Sequence, residues 1–362
     1  MNIPLYELAD ETRESYAPSS DEDIPYIGLE HVEPNSLHIS SMGSSLEVQS
    51  QKFKFQMGDI LFGTLRPYFR KVIVASCDGV CSTEFSVVRP KKPEDRNFVF
   101  YAMANPQFIS YATTNSNGAR PRTKWKLFSN FTLYKYRPLQ RQNIGSILVA
   151  YDDLIENNRR RIQLLEQAAR LLYKEWFVRL RFPGHEHVKI VNGIPEGWKK
   201  KTLGECAPLN YGKALKEDNR IAGRFHVYGS SGIVGSHIKA LVSGPTIIVG
   251  RKGNVGSVYW SQDDCHPIDT VYFIDSEHCS FFLYYALQQM NFISTDVAVP
   301  GLNRDFADSR LVLIADQKIL RLFEDTVLPL HQQMELLKRQ IATLAQARDL
   351  LLPRLMNGEI AV

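Results

Sequence analysis

The chain has no long apolar run. None reaches the roughly 18 residues that a membrane-spanning helix needs, so no membrane partner is expected. Cysteine is scarce: Cys77, Cys81, Cys206, Cys265 and Cys279 are the only five in 362 residues. They are too few and too scattered to define a disulfide framework. The opening "MNIPLYELADETRE" is acidic and lacks the basic-then-apolar pattern of a secretory leader. A reduced, cytoplasmic protein is expected. Catalytic signatures are missing too. There is no G-x-x-x-x-G-K-[ST] and no H-E-x-x-H, so neither P-loop nor zincin chemistry has its residues here. The "HEH" of His185 to His187 has no third ligand in sequence, and Cys77 and Cys81 do not form a zinc knuckle. No metal is expected. "ANPQF", Ala104 to Phe108, is the nearest approach to the Asn-Pro-Pro-aromatic run of an amino-methyltransferase, and it is not one.

What is present describes a soluble globular chain of about two domains, with 44% hydrophobic and 23% charged residues. The net charge of +4 is unevenly spread. Met1 to Glu47 holds ten acidic residues and one basic residue, whereas Val48 to Pro138 holds fifteen basic and five acidic. Local basic density of this kind suits a polyanion-binding face, although a merely solvated surface looks the same in sequence. Gly184 to Ile314 is balanced, with thirteen residues of each sign.

The chain also repeats itself. "RIQLLEQAARLL" (Arg161 to Leu172) and "QIATLAQARDLL" (Gln340 to Leu351) align at an offset of 179 residues. Both belong to a 3.5-residue apolar repeat, the pattern of a coiled-coil seam. Ile155, Asn158, Ile162, Leu165, Ala169, Leu172 and Trp176 carry it in the first copy, and Leu330, Met334, Leu337, Ile341, Leu344, Arg348, Leu351 and Leu355 in the second. Asn158 and Arg348 are polar entries of the kind that fixes register. No Gly or Pro falls between Ser146 and Arg181, and Pro329 and Pro353 bracket the second stretch. Two such stripes can satisfy each other by packing together, or each can pack on its own globule. Further back, "DILFGTLRPYFRKV" resembles "TIIVGRKGNVGSV": an apolar strand, a glycine, then basic residues. "FVFYAMANPQFISYAT" and "SFFLYYALQQMNFIST" read as helices in matching places. The expectation is an α+β fold: two similar α+β globules at 1–138 and 183–314, and two long helices, at 139–182 and 315–362, packed as an antiparallel coiled coil.

This layout resembles the DNA-specificity subunits of type I restriction–modification systems. The resemblance covers nearly the whole chain. It rests on the paired helical stretches and on the phrases "YIGLEHVEP", "LLYKEWF", "IPEGWKKKTLGE" and "LLPRLMNGEI". It implies that each globule is a target-recognition domain reading one half of a split duplex sequence. The helices would then be a spacer and a platform for two modification subunits. S-adenosylmethionine would bind to those partners, and ATP and Mg to restriction (translocase) subunits. This chain itself would hold no cofactor and carry no reaction. An interaction scaffold whose globules bind protein is the competing class, and the balanced second globule suits it better than the first.

"NSNGARPRTKWK" is the strongest single candidate for DNA contact. Its Arg120 and Arg122 can bond guanine edges, its Asn115 and Asn117 adenine, and its Lys124 and Lys126 phosphates. "TLRPYFRK" adds Arg66, Tyr68, Arg70 and Lys71; "VPGLNRDF" adds Asn303 and Arg304. "GRKGNVG" offers Arg251 and Lys252, either as a phosphate-cradling turn or as a plain hairpin. Leu330 to Leu351 spans 22 residues, about 32 Å as helix, close to the roughly 34 Å of one duplex turn. The paired helices are therefore expected to act as a ruler.

Overall fold

The computed structural model describes residues 2–19, 22–292 and 301–362. The chain forms two compact units, Met1–Arg159 with Lys338–Val362 and Arg160–Leu337. Each therefore holds one globule and a segment of each of two long helices, the central helix (Pro138–Tyr173) and the C-terminal helix (Gln317–Met356). This is the expected α+β fold with long helices packed together.

In the first unit, a four-stranded antiparallel sheet runs in the order Ala9–Thr12, Phe85–Pro90, Ile60–Gly63, Val72–Val74. A five-stranded mixed sheet lies beside it in sequence, with Pro25–Ile27 parallel to Gly79–Cys81. Asn2–Pro4 pairs with Thr132–Tyr134, closing the globule just before the central helix starts. The helix Arg96–Ala104 is apolar nearly all round and buries Phe98 through Ala104. A helix with no polar face must be enclosed, and this one packs with Ile144 and Leu148 of the central helix and Leu352, Leu355 and Met356 of the C-terminal helix.

The second unit repeats that plan. Its four-stranded sheet runs Asn210–Tyr211, Val271–Ile274, Thr246–Gly250, Val258–Ser261. Phe225–Gly229 lies parallel to Cys265–Pro267, and Lys199–Thr202 pairs with Leu311–Ile314. The helix Phe281–Gln289 fills the place of Arg96–Ala104 and is just as buried. The sequence expectation for this helix extended through Thr295, and Ile293 to Thr295 lie outside the described residues.

The helix segments pair antiparallel within each unit. In the first, Asp152 meets Arg348, and Asn158 Nδ2 donates to Gln340 Oε1 at 3.3 Å. In the second, Tyr173 of the central helix and Trp176 and Phe177 of the π-turn Lys174–Val178 that continues it surround Phe323 at ring distances of 5.0–6.1 Å. Ile155, Asn158, Met334 and Leu337 are buried, and Ile162, Leu165, Leu172, Ile341, Leu344 and Leu351 are half-buried. The prolines that bracket the uninterrupted stretch both lie inside the C-terminal helix, as the expected span of 315–362 has it. That helix starts at Gln317, twelve residues before Pro329, and continues through both Pro329 and Pro353. Proline removes one helical hydrogen bond and crowds the carbonyl four residues back. Here Pro329 is exposed while Phe323, Val327 and Met334 around it are buried, so packing on one face holds the helix across the defect. The central helix likewise begins at Pro138, a residue preset for a helix start, and passes through Gly145.

Candidate nucleic-acid interface

A hairpin tip and a second loop are bridged in the first unit. The strands Ile60–Gly63 and Val72–Val74 pair antiparallel, so residues 64–71 form the tip. Residues 115–124 precede the short helix Trp125–Phe128. The two loops are joined backbone to backbone. Leu65 bridges Arg122, Arg66 N–H donates to Pro121 O at 2.7 Å, and Thr123 N–H donates to Thr64 O at 3.1 Å. Arg122 also closes an ion pair with Glu84, whose carbonyl accepts from Thr64 Oγ1 at 2.7 Å.

The second unit builds the same bridge from different residues. Thr246–Gly250 and Val258–Ser261 make the hairpin, with 251–257 as its tip. Lys252 bridges Gly301, and Leu302 N–H donates to Arg251 O at 2.8 Å. The "GRKGNVG" stretch is thus a hairpin, with Gly253 and Gly256 at φ of 79° and 78°, a conformation that side chains resist. Val299 and Pro300 of "VPGLNRDF" lie outside the described residues.

The candidate side chains divide. In the first unit Arg66, Asn117, Arg120, Arg122, Lys124 and Lys126 are exposed, and Tyr68 is 46% exposed. Among the described residues Arg120, Lys124 and Lys126 have no carboxylate partner. Their charge is available to a polyanion. Arg122 shares its charge with Glu84. Asn115 spends Nδ2 on Tyr111 O at 2.9 Å, closing the helix Pro106–Thr114. Arg70 and Lys71 turn inward. Arg70 Nε donates to Ala104 O, and Lys71 Nζ to Leu29 O, each at 2.7 Å. Burial draws both cations below their ordinary pKa, with carboxylates (Asp349 for Arg70, Glu30 and Glu33 for Lys71) pulling the other way.

In the second unit, Arg251 and Arg304 both lie against Tyr211. Their guanidinium carbons are 5.1 and 5.8 Å from its ring centre, and Arg251 is also 5.6 Å from that of Tyr272. Tyr211 is 51% exposed. A guanidinium over an aromatic ring keeps its edge free for hydrogen bonds while its face is held. Tyr272 is fixed beneath by its hydroxyl, which donates to Leu302 O at 2.9 Å; burial raises its pKa, and the Tyr211 hydroxyl adds to the rise. Asn303 is exposed, but its Oδ1 accepts from Phe306 N–H at 3.1 Å as the cap of the helix Arg304–Asp308. Lys252 is exposed at the hairpin tip. Tyr211 is the residue the sequence did not flag. It sits in the unremarked phrase "LNYGKALK", and nothing in that phrase reveals the two arginines, 40 and 93 residues away, that meet it.

Other sites offer less. A cleft of about 720 Å³ in the first unit is lined by Met42, Met57 and Phe100, with Asp153 and Glu156 on its wall, the wrong charge for a phosphate backbone. His185 and His187 flank Glu186 in a short exposed turn, and among the described residues no three or more His, Cys, Asp or Glu residues gather where a metal could sit. No helix among the described residues is long and apolar enough to cross a membrane.

Known proteins match this architecture. The family model for the type I restriction modification DNA specificity domain matches residues 195–306. The type I restriction enzyme MjaIX specificity subunit of Methanocaldococcus jannaschii is 24% identical over 349 residues, covering 85% of this chain and 79% of that one. The HindI specificity subunit of Haemophilus influenzae is 22% identical, covering 85% and 88%. The crystal structure of the type I restriction–modification S subunit from M. genitalium superposes with a TM-score of 0.59 at 17% identity, over 98% of this chain and 96% of that one. At that identity the superposition speaks to the fold.

Proposed function

We infer that this chain, a DNA-specificity subunit of the type I restriction–modification kind, reads a split duplex target through the bridged loops of its two units. The observation that carries the reading is the recurrence of one construction. A hairpin tip tied to a second loop appears at the same topological place in both units, with exposed cations on each. Duplicated readers suit a target with two specific halves.

The two loop pairs differ in chemistry. In the first unit, Arg120, Lys124 and Lys126 suit phosphate contacts, which position a protein on the duplex. In the second, Arg251 and Arg304 are held against Tyr211, with Arg304 Nε 3.4 Å from Asp308 Oδ2 and one Arg251 nitrogen donating to Asp269 O at 3.3 Å, and their remaining nitrogens suit guanine edges. The chemistry of methylation and cleavage falls to partner subunits of the restriction–modification complex. Two modification subunits would bring S-adenosylmethionine, and restriction subunits ATP and Mg. The setting is the cytoplasm.

The test is duplex binding across a salt titration. Each phosphate contact adds about 0.9 to the steepness of log K against log salt. Combined Arg120→Ala, Lys124→Ala and Lys126→Ala should therefore flatten the slope by roughly 2.7 if all three engage phosphates. Binding that ignores salt, or an unchanged slope in this variant, defeats the reading.

A further inference from the structure

The hairpin tip of the first unit is held in an unusual backbone state. Its short turn, Pro67–Phe69, is flanked by Arg66 at φ 50° and Arg70 at φ 49°. Both are left-handed, a region that long side chains rarely occupy and that persists only where surroundings enforce it. The enforcing contacts can be named. Arg66 N–H is held by Pro121 O, and Phe69 O by Asn35 N–H, each at 2.7 Å. The Arg70 side chain is only 12% exposed and reaches away from the tip. Its Nε donates to Ala104 O at 2.7 Å, at the carbonyl end of the helix Arg96–Ala104. That end carries partial negative charge and favours a cation. Its terminal nitrogen lies 3.4 Å from Asp349 Oδ1 on the C-terminal helix. Asp349 in turn accepts from Arg348 at 3.1 Å, and Arg348 pairs with Asp152 on the central helix.

We infer that Arg70 is a positioning residue for DNA reading by the first unit, with Asp349 as its anchor on the helix side. Its guanidinium fixes the rear of the tip, so that Arg66 and Tyr68 face outward in one conformation. Arg70 itself does not touch DNA. Among the described residues the tip of the second unit is shaped by Gly253 and Gly256 instead. The inference rests on the DNA-reading function proposed above.

The experiment uses the full chain in its native assembly and duplexes carrying the cognate target, identified from the bases methylated in cells, or the same target with one half scrambled. Arg70→Gln should leave the salt slope unchanged, whereas Arg66→Ala should flatten it by about 0.9. Arg70→Gln should also reduce discrimination against a scrambled first half on the order of tenfold, the effect of about one mismatched base pair. Discrimination at the other half should not change. Asp349→Asn leaves the loop sequence intact and should reduce discrimination in the same direction even if Arg70→Gln folds poorly. The double variant should lose less discrimination than the sum of the single ones, because both substitutions remove the Arg70–Asp349 pair. A slope flattened by about 0.9 in Arg70→Gln would make Arg70 a direct phosphate contact and overturn the inference. Unaltered discrimination in both single variants would overturn it too. If the unmodified protein shows no salt-dependent duplex binding, the DNA-reading function fails, and this inference with it. If it binds and the variants match it, only the positioning role fails.

Discussion

Arg348→Leu tests how the helix pair of the first unit is held. Arg348 is 6% exposed and pairs with Asp152 across the seam. The other carboxylate oxygen of Asp152 accepts from the Tyr101 hydroxyl at 2.5 Å, and His38 Nε2 lies 3.9 Å from the oxygen that pairs with Arg348. Removing the guanidinium leaves Asp152 buried with one neutral donor and a half-buried imidazole. Breaking one side of such a pair costs about 3–5 kcal/mol, whereas replacing both members by apolar groups is often nearly neutral. For a unit of 150–250 residues, 1 kcal/mol moves the melting temperature by about 2–4 °C. Arg348→Leu should therefore lower the melting of this unit by about 6–20 °C. Leucine suits the position, since residue 348 occupies the apolar repeat. Adding Asp152→Leu should recover most of the loss. The assay is a thermal melt followed by circular dichroism, with the transition assigned by hydrogen exchange of the helix Arg96–Ala104. A loss below about 1 kcal/mol, the scale of an exposed pair, would refute a desolvated pair. So would a double variant whose loss is the sum of the singles.

Two further outcomes follow from the same construction. Burial holds the His38 imidazole below its ordinary 6.5, against the opposite pull of Asp152; the unfolded chain therefore binds more protons as pH falls through about 6.5, and the first unit should lose stability on acidification. Urea midpoints between pH 7.5 and 5.5 should show this, and His38→Gln should flatten the trend; a trend unmoved by the substitution removes His38 as its cause. Inserting four residues into each long helix lengthens each by about 6 Å; if the helices set the spacing of the two half-targets, the methylated sequence gains a wider unspecific gap, and an unchanged gap rejects the ruler.

The periodic features were legible because periodicity is a local property. A 3.5-residue repeat needs no knowledge of the partner to mark Ile155, Asn158, Met334 and Leu337 as inward-facing, and all four are buried. The duplication was legible for the same reason: similar strings predict similar folds, and both four-stranded sheets have the same order. What sequence could not reveal was where a cation spends its hydrogen bonds. "TLRPYFRK" reads as one basic cluster, yet Arg66 points out while Arg70 and Lys71 are consumed inside. The deciding partner of Arg70 is Asp349, 279 positions away. The long helices expected at 139–182 and 315–362 run through Gly145 and Pro329, because propensity is weak beside tertiary packing.

Gly145 shows how far the duplication constrains the packing beneath the loops. The two long helices begin at Pro138 and Gln317, 179 residues apart, and counted from those starts the counterpart of Gly145 is Glu324. The Glu324 carboxylate accepts from the N–H groups of Phe281 and Phe282 at 3.1 and 2.8 Å, the first residues of the buried helix in the second unit. Gly145 stands over the matching residues of the first unit, Asn97 and Phe98, with no side chain between. One helix start is thus met by a carboxylate, which the amide end of a helix favours, and the other by the bare backbone of a neighbouring helix. The two solutions predict opposite tolerances. A helical Gly→Ala change ordinarily gains about 1 kcal/mol. At Gly145 the new Cβ would fall 2.8 Å from Asn97 Cβ and 3.1 Å from Phe98 N, neither of which is a flexible side-chain end. Overpacking of this kind costs about 1–3 kcal/mol, so Gly145→Ala should lower the melting temperature of the first unit despite the better helix former. Glu324→Ala should destabilise the second unit by about 1–2 kcal/mol through the lost cap, with Glu324→Gln in between because it keeps one acceptor. A Gly145→Ala variant that melts higher than the parent would show that the two helices separate freely at this point, and the close backbone approach would lose its structural role.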